Sequence, residues 1–108
     1  MQEVIFSHQT INAEIKVYQE FIDEWKHELL QVQSDLEKCK ERVSLLNELI
    51  KHVTPGSSTK LANANIDMVV NEVVELTKKE TRLSENIKTY QEFVIELNKM
   101  LYYQALHR

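Results

Sequence analysis

Cys39 lies between Lys38 and Lys40, and cations beside a thiol lower its pKa and release a nucleophilic thiolate. His27 has Glu24 and Glu28 as close neighbours, a carboxylate-rich patch of a kind that can move protons. His8, His52 and His107 are further groups that could hold a metal. Each group also has a plainer explanation. Cys39 falls on the apolar stripe described below, where a thiol acts as a small hydrophobe. The histidines are dispersed and none has a second ligand at helical spacing, so no metal site is expected. His27 and its two glutamates read as solvated surface. A glycine-rich phosphate loop, a nucleophile elbow and a paired-acid motif are all absent. Long helices lying side by side also lack a cleft that could exclude water from a reacting centre. The sequence therefore predicts neither catalysis nor a cofactor nor a small-molecule ligand.

The elements that carry these residues are set by a repeat. Ile11, Ile15, Tyr18, Ile22, Trp25, Leu29, Val32, Leu36, Cys39, Val43, Leu46, Ile50 and Val53 are spaced alternately four and three apart, thirteen positions without a polar miss. A period of 3.5 keeps such a seam facing a partner helix along a left-handed supercoil. Val4 and His8 extend the seam backward into a frayed start, with His8 as its one polar residue. Possible four-apart pairs such as Glu37–Glu41 and Lys38–Arg42 are like-charged, so packing of the apolar face must supply most of the helix's stability.

One break interrupts the pattern, HVTPGSSTK at 52–60, and it holds the only proline and the only glycine. Pro55 drives Thr54 out of the helical region, Gly56 tolerates a positive φ, and Ser57, Ser58 and Thr59 can cap a new helix. A connection this short makes its two helices antiparallel. The second seam runs Ile66, Val69, Val73, Leu76, Glu80, Leu83, Ile87, Tyr90, Val94, Leu97, Leu101, with Glu80 its one polar member. In a hairpin folded about residue 57, Glu80 would lie near Leu36, within reach of Lys38 or Lys40. The expected fold is all-α: one coiled-coil hairpin over 1–108, with helix 1 at 2–53, a turn at 54–60 and helix 2 at 61–107. Ile22, Trp25, Leu29, Leu36, Leu46, Leu83, Ile87, Tyr90, Val94 and Leu97 form its internal seam.

Two helices of about 50 residues, each about 75 Å long at 1.5 Å per residue, have too much surface to make a compact core. Other chains should complete the burial in a multi-helix bundle. Val70, Val74, Thr77 and Thr81 widen the apolar face near the middle of helix 2. Farther along, Phe93, Ile95, Met100, Tyr102, Tyr103 and Leu106 surround the seam on nearly every side, and folding places them beside Val17 and Phe21. That end carries more apolar surface than two helices can hide. The expected partner interface is Val17, Phe21, Phe93, Ile95, Met100, Leu101, Tyr102, Tyr103 and Leu106, and Tyr18, Trp25 and Tyr90 are further candidate anchors. Exposed Lys26 is a position where a change is expected to leave assembly unaffected.

Charge excludes some partners. The net charge is −4, and residues 1–53 hold six Lys/Arg against ten Asp/Glu while the remainder holds seven against seven. Without a basic stripe, nucleic acid is not an expected partner. One cysteine rules out an internal disulfide framework and suits a reducing compartment. The sequence shows no signal peptide, membrane span or lipidation motif, so cytosol or nucleus is expected, without direct membrane contact.

Three strings add a resemblance: INAEIKVYQEFIDEWKHEL at 11–29, with Tyr18, Ile22, Glu24 and Leu29; HVTP at 52–55; and ENIKTYQEFVIELNKML at 85–101, with Glu85 to Lys88 and Lys99 to Leu101 as its clearest pieces. Taken in this order they resemble the hairpin region of the central-channel nucleoporins, in their fifty-eight/forty-five branch with its fungal forty-nine counterpart. The stretch between Leu30 and His52 is longer than in the animal members. The resemblance implies a scaffold that joins itself, as dimer or tetramer, or sister coiled-coil nucleoporins at the nuclear pore, and serves protein and mRNA transport. The chain has no Phe-Gly pair, so it would be the anchoring piece of such a protein. The rival is a spectrin-type, cytoskeletal or tethering coiled coil, suggested by CKERVSLLNELIKHV at 39–53. A three-helix spectrin repeat needs two breaks, and the sequence offers one.

Overall fold

The computed structural model describes residues 6–106, and these fold as two long antiparallel helices, α1 (His8–His52) and α2 (Ser57–Leu106), with no strand among them. The sequence expectation of an all-α helical hairpin is met. Val4, His107 and the outermost residues of the expected helix spans lie outside the described residues. Within them α1 begins at His8 because Ser7 caps it. The Ser7 Oγ accepts the Thr10 N–H at 3.1 Å, and the Ser7 carbonyl accepts the Ile11 N–H at 3.2 Å. Phe6 and Ser7 therefore stand outside the helix, where a frayed helical turn was expected.

At the other end of α1, Lys51 and His52 put basic groups in the last turn, where the helix dipole favours them. The turn is shorter than the sequence suggested, and α2 starts four residues before the expected Leu61. The reason is Gly56, whose φ of 125° reverses the chain and whose carbonyl accepts the Lys60 N–H at 3.1 Å. A glycine can cap the helix in this way because it pays no Cβ penalty at positive φ. With Gly56 as the cap, Ser57, Ser58 and Thr59 fall inside the first turn.

Residues that face each other lie symmetrically about Pro55: Phe6 with Gln104, Tyr18 with Tyr90 and Phe93, Cys39 with Glu72. This register corrects the placement of Glu80, which comes level with Leu30 rather than Leu36. Lys40 instead pairs with Glu37 at 3.3 Å. A fold point two residues earlier moves every cross-helix partner by about a helical turn.

Contacts along the hairpin divide it into two units. Unit 1 is Met1–Glu28 with Leu83–Arg108, and unit 2 is Leu29–Arg82. In unit 1, Ile11, Ile15, Ile22, Leu83 and Ile87 are buried, while Tyr18, Trp25, Tyr90, Val94 and Leu97 are half-buried. His8 is a half-buried seam residue whose Nε2 is buried without a partner. Gln104 fixes the entry of α1: its Oε1 accepts the Phe6 N–H at 3.3 Å and its Nε2 donates to the Phe6 carbonyl at 3.0 Å. Gln104→Ala is expected to cost about 1–2 kcal/mol, two solvent-accessible hydrogen bonds at the usual net value. Faster amide exchange at residues 8–11, with the amides of unit 2 unchanged, is the measurement that checks it.

In unit 2 the buried residues are Val32, Leu36, Cys39, Ala62 and Val69, of which Val69 is the most enclosed at 1% exposure. Leu29, Val43, Leu46, Ile50, Ile66, Val73, Leu76 and Glu80 are half-buried. Thr77 and Thr81 donate their hydroxyls to the carbonyls of Val73 and Thr77, at 2.7 and 3.1 Å, so neither needs a partner outside the helix.

Ion pairs do occur within the helices, at three-residue rather than four-residue spacing. Glu37–Lys40, Glu48–Lys51, Glu75–Lys78 and Glu96–Lys99 lie at 2.8–3.4 Å, each largely exposed. Glutamate precedes lysine in every pair, the orientation that also suits the helix dipole. Exposed pairs contribute a few tenths of a kcal/mol each. Burial of a single leucine contributes about 1.5–3 kcal/mol, so the apolar seam dominates.

Candidate functional site

Within unit 1 the heptad places unlike surfaces on the two sides of the seam. On one side Tyr18, Phe21 and Trp25 from α1 meet Tyr90 and Phe93 from α2. Tyr90 is the hub, with ring centroids 4.8 Å from Trp25, 5.1 Å from Tyr18, 5.2 Å from Phe93 and 6.0 Å from Phe21. Phe21–Trp25 at 5.8 Å and Tyr18–Phe93 at 5.9 Å complete the cluster. All six pairs are tilted, the geometry that ring quadrupoles favour. The cluster is only partly covered: Phe21 and Phe93 remain 40% and 44% exposed. The Glu14 carboxylate, first as hydrogen-bond acceptor and then as a nearby charge, holds the Tyr18 phenol above its ordinary range.

On the other side a shallow groove of about 600 Å³ runs between the helices, lined by Gln19, Ile22, Asp23 and Lys26 from α1 and Gln91, Val94 and Ile95 from α2. Ile95 is shared with a second, more apolar depression of about 560 Å³ that ends at Tyr102, Tyr103 and Leu106. Lys26, expected to be inert, thus stands in the groove wall.

Of the residues expected at a partner interface, Val17, Phe21, Phe93, Ile95, Met100, Tyr102, Tyr103 and Leu106 are exposed. Leu101 is different: it is half-buried and continues the seam. The structure divides the exposed residues between the sides. Val17, Phe21, Phe93 and Met100 are at heptad positions of the aromatic side, whereas Ile95, Tyr102, Tyr103 and Leu106 line the depression that continues the groove.

Unit 2 also shows apolar surface, of which sequence reasoning assigned only the Val70 and Val74 stripe. Leu30, Leu45, Leu49, Leu61, Met68, Val70 and Val74 are exposed. The signal for Leu45 and Leu49 was their four-residue spacing immediately beside Leu46 and Ile50, which the strength of the seam itself obscured.

Cys39, 7% exposed, is held in its neutral form. Burial raises its pKa first, the Glu72 carboxylate second and Asp35 after it, with Arg42 opposing them; the lowering expected from the flanking lysines does not prevail. The thiol should therefore react with iodoacetamide far more slowly in the folded chain than after denaturation, at the same pH. The folded chain holds the thiol proton more tightly than the unfolded chain does. Its contribution to stability is thus complete below the ordinary thiol pKa and is lost as pH rises from there through the raised pKa of the folded chain. Equal alkylation rates in the two states would contradict this assignment. Elsewhere, no three metal-ligating side chains gather among the described residues, and none of the described helices is long and apolar enough to cross a membrane.

Compared with protein-family models, curated protein sequences and solved structures, the chain matches none.

Proposed function

We propose that this chain is a structural assembly module, a helical hairpin that joins other helices through the surface of unit 1. The observation that carries this reading is the apolar surface left open on both sides of a seam that is already filled. Phe21 and Phe93 project from one side, Ile95 and Tyr102 from the other. Aromatic groups of this kind are the usual anchors of protein interfaces. The role that fits is a scaffold without catalysis, cofactor, nucleic acid or direct membrane contact.

The particular setting we propose is the nuclear pore, with the chain as the anchoring hairpin of a central-channel nucleoporin. The strings at 11–29, 52–55 and 85–101 support it, and their first and third members contain the five rings of the aromatic cluster. Partners would be further copies of the chain, sister coiled-coil nucleoporins, or both. The rival reading is a spectrin-type, cytoskeletal or tethering coiled coil, suggested by the string at 39–53. Two measurements test the proposal: sedimentation velocity of the full chain at micromolar concentration, and affinity capture against sister channel nucleoporins. Assembly above the monomer together with capture supports it. A monomer that captures none of them sinks it.

A further inference from the structure

The two sides of unit 1 differ in charge as well as in shape. Heptad positions on the aromatic side hold Glu14, Glu24, Glu28 and Glu96, with no lysine, arginine or histidine among the described residues. Glu96 is paired with Lys99 at 3.0 Å, which leaves three carboxylates without an ion pair. Positions on the groove side hold Lys16, Lys26 and Lys88 against the single acid Asp23, and none of these lysines makes an ion pair. An acidic side with an aromatic ridge therefore backs onto a basic side with a groove.

Position along the helix matters as much as sign. Glu14 and Lys16, like Glu24 and Lys26, are two residues apart, an offset of about 3 Å along the axis. Lys88 comes level with Phe21 to Asp23 by the pairing about Pro55. If two copies lie side by side pointing the same way, the carboxylates of one meet the lysines of the other. The Phe21–Phe93 ridge then meets the groove at Ile22 and Ile95. A two-fold contact between aromatic sides would instead set Glu14, Glu24 and Glu28 of one copy against the same residues of the other, a like-charge arrangement that interfaces avoid.

We infer that unit 1 binds a second copy of this chain in a heterologous contact, aromatic side into groove side, both copies running in the same direction. This rests on the reading of the chain as an assembly module and names the partner and the mode. Such a contact leaves one ridge and one groove unfilled at the ends of each complex, so it repeats, into a ring or an open row. The aromatic groups supply affinity, and the charges supply register and direction.

Charge reversal of the full chain tests the inference, with helix content by circular dichroism confirming that each variant folds. The exposed pairs Lys26→Glu/Lys88→Glu and Glu24→Lys/Glu28→Lys make the two sides of unit 1 alike in charge. Wild-type chain should exceed a dimer as concentration rises, and added salt should weaken the assembly. Each variant alone should associate at least about tenfold more weakly. An equimolar mixture of the two should recover, because the acidic side of one still fits the basic side of the other. A chain with all four changes should recover as well. A wild type that stops at a closed dimer, with the lysine variant unaffected or the glutamate variant tightened, overturns the heterologous mode but leaves the assembly module standing. A wild type that is monomeric at every concentration overturns the self-contact; if that monomer captures a sister coiled-coil protein the assembly module stands, and if it captures none both readings fall.

Discussion

Leu83→Asp is expected to unfold the hairpin or lower its melting temperature by about 15–30 °C. Leu83 is 3% exposed and has the buried seam residue Ile87 one turn away on α2. The substitution removes about 1.5–3 kcal/mol of apolar burial. It also places an unpaired carboxylate in the seam, at about 3–5 kcal/mol. Together these approach the whole stability of a small domain, about 5–15 kcal/mol. Leu45→Asp is the control, because Leu45 is 68% exposed and its loss should change stability by about 0.5 kcal/mol or less. Thermal denaturation at one low protein concentration compares the two without a contribution from assembly. Equal melting temperatures would show that burial in the seam is not what holds the helices together.

The second large effect is expected at Phe93→Asp, in association rather than folding. Phe93 lends two ring contacts to the aromatic cluster, so the monomer should lose only about 1–2 kcal/mol and remain helical. An anchor at an interface is worth about 2 kcal/mol or more, which corresponds to about 30-fold or greater weakening of self-association. The added charge also falls on a side that already carries Glu14, Glu24 and Glu28. Leu61→Asp introduces the same charge in unit 2 and should leave the oligomer intact. Sedimentation equilibrium on both variants decides between the units. If Leu61→Asp has the larger effect, the interface belongs to unit 2.

The helices and their contact face could be read directly from the chain because a period of 3.5 has one geometric meaning. The residues from Ile11 to Val53 and from Ile66 to Leu101 that follow it are all buried or half-buried, Glu80 among them. The register was harder to read, since it depends on which backbone carbonyl closes the turn. The sequence offered Ser57, Ser58 and Thr59 as caps, whereas the cap is Gly56, and that choice resets the cross-helix partner of every later residue. The Phe6–Gln104 clamp was invisible for a related reason: a side-chain amide 98 residues away in sequence leaves no periodic trace. At the candidate interface, the apolar excess was legible as composition around the seam. Its division into an acidic ridge and a basic groove was not, because the charges sit at outer positions that look alike until two helices share an axis.

The single tryptophan and the single cysteine fall in different units. Trp25 stacks near Tyr90 in unit 1, and Cys39 is enclosed in unit 2. The hairpin thus has an intrinsic fluorophore for one unit and a chemical label for the other. Local opening events can be assigned to either one in the unmodified chain. If fluorescence changes before the thiol becomes reactive during a slow denaturant ramp, the hairpin unzips from its free ends; the reverse order means that it melts from the turn.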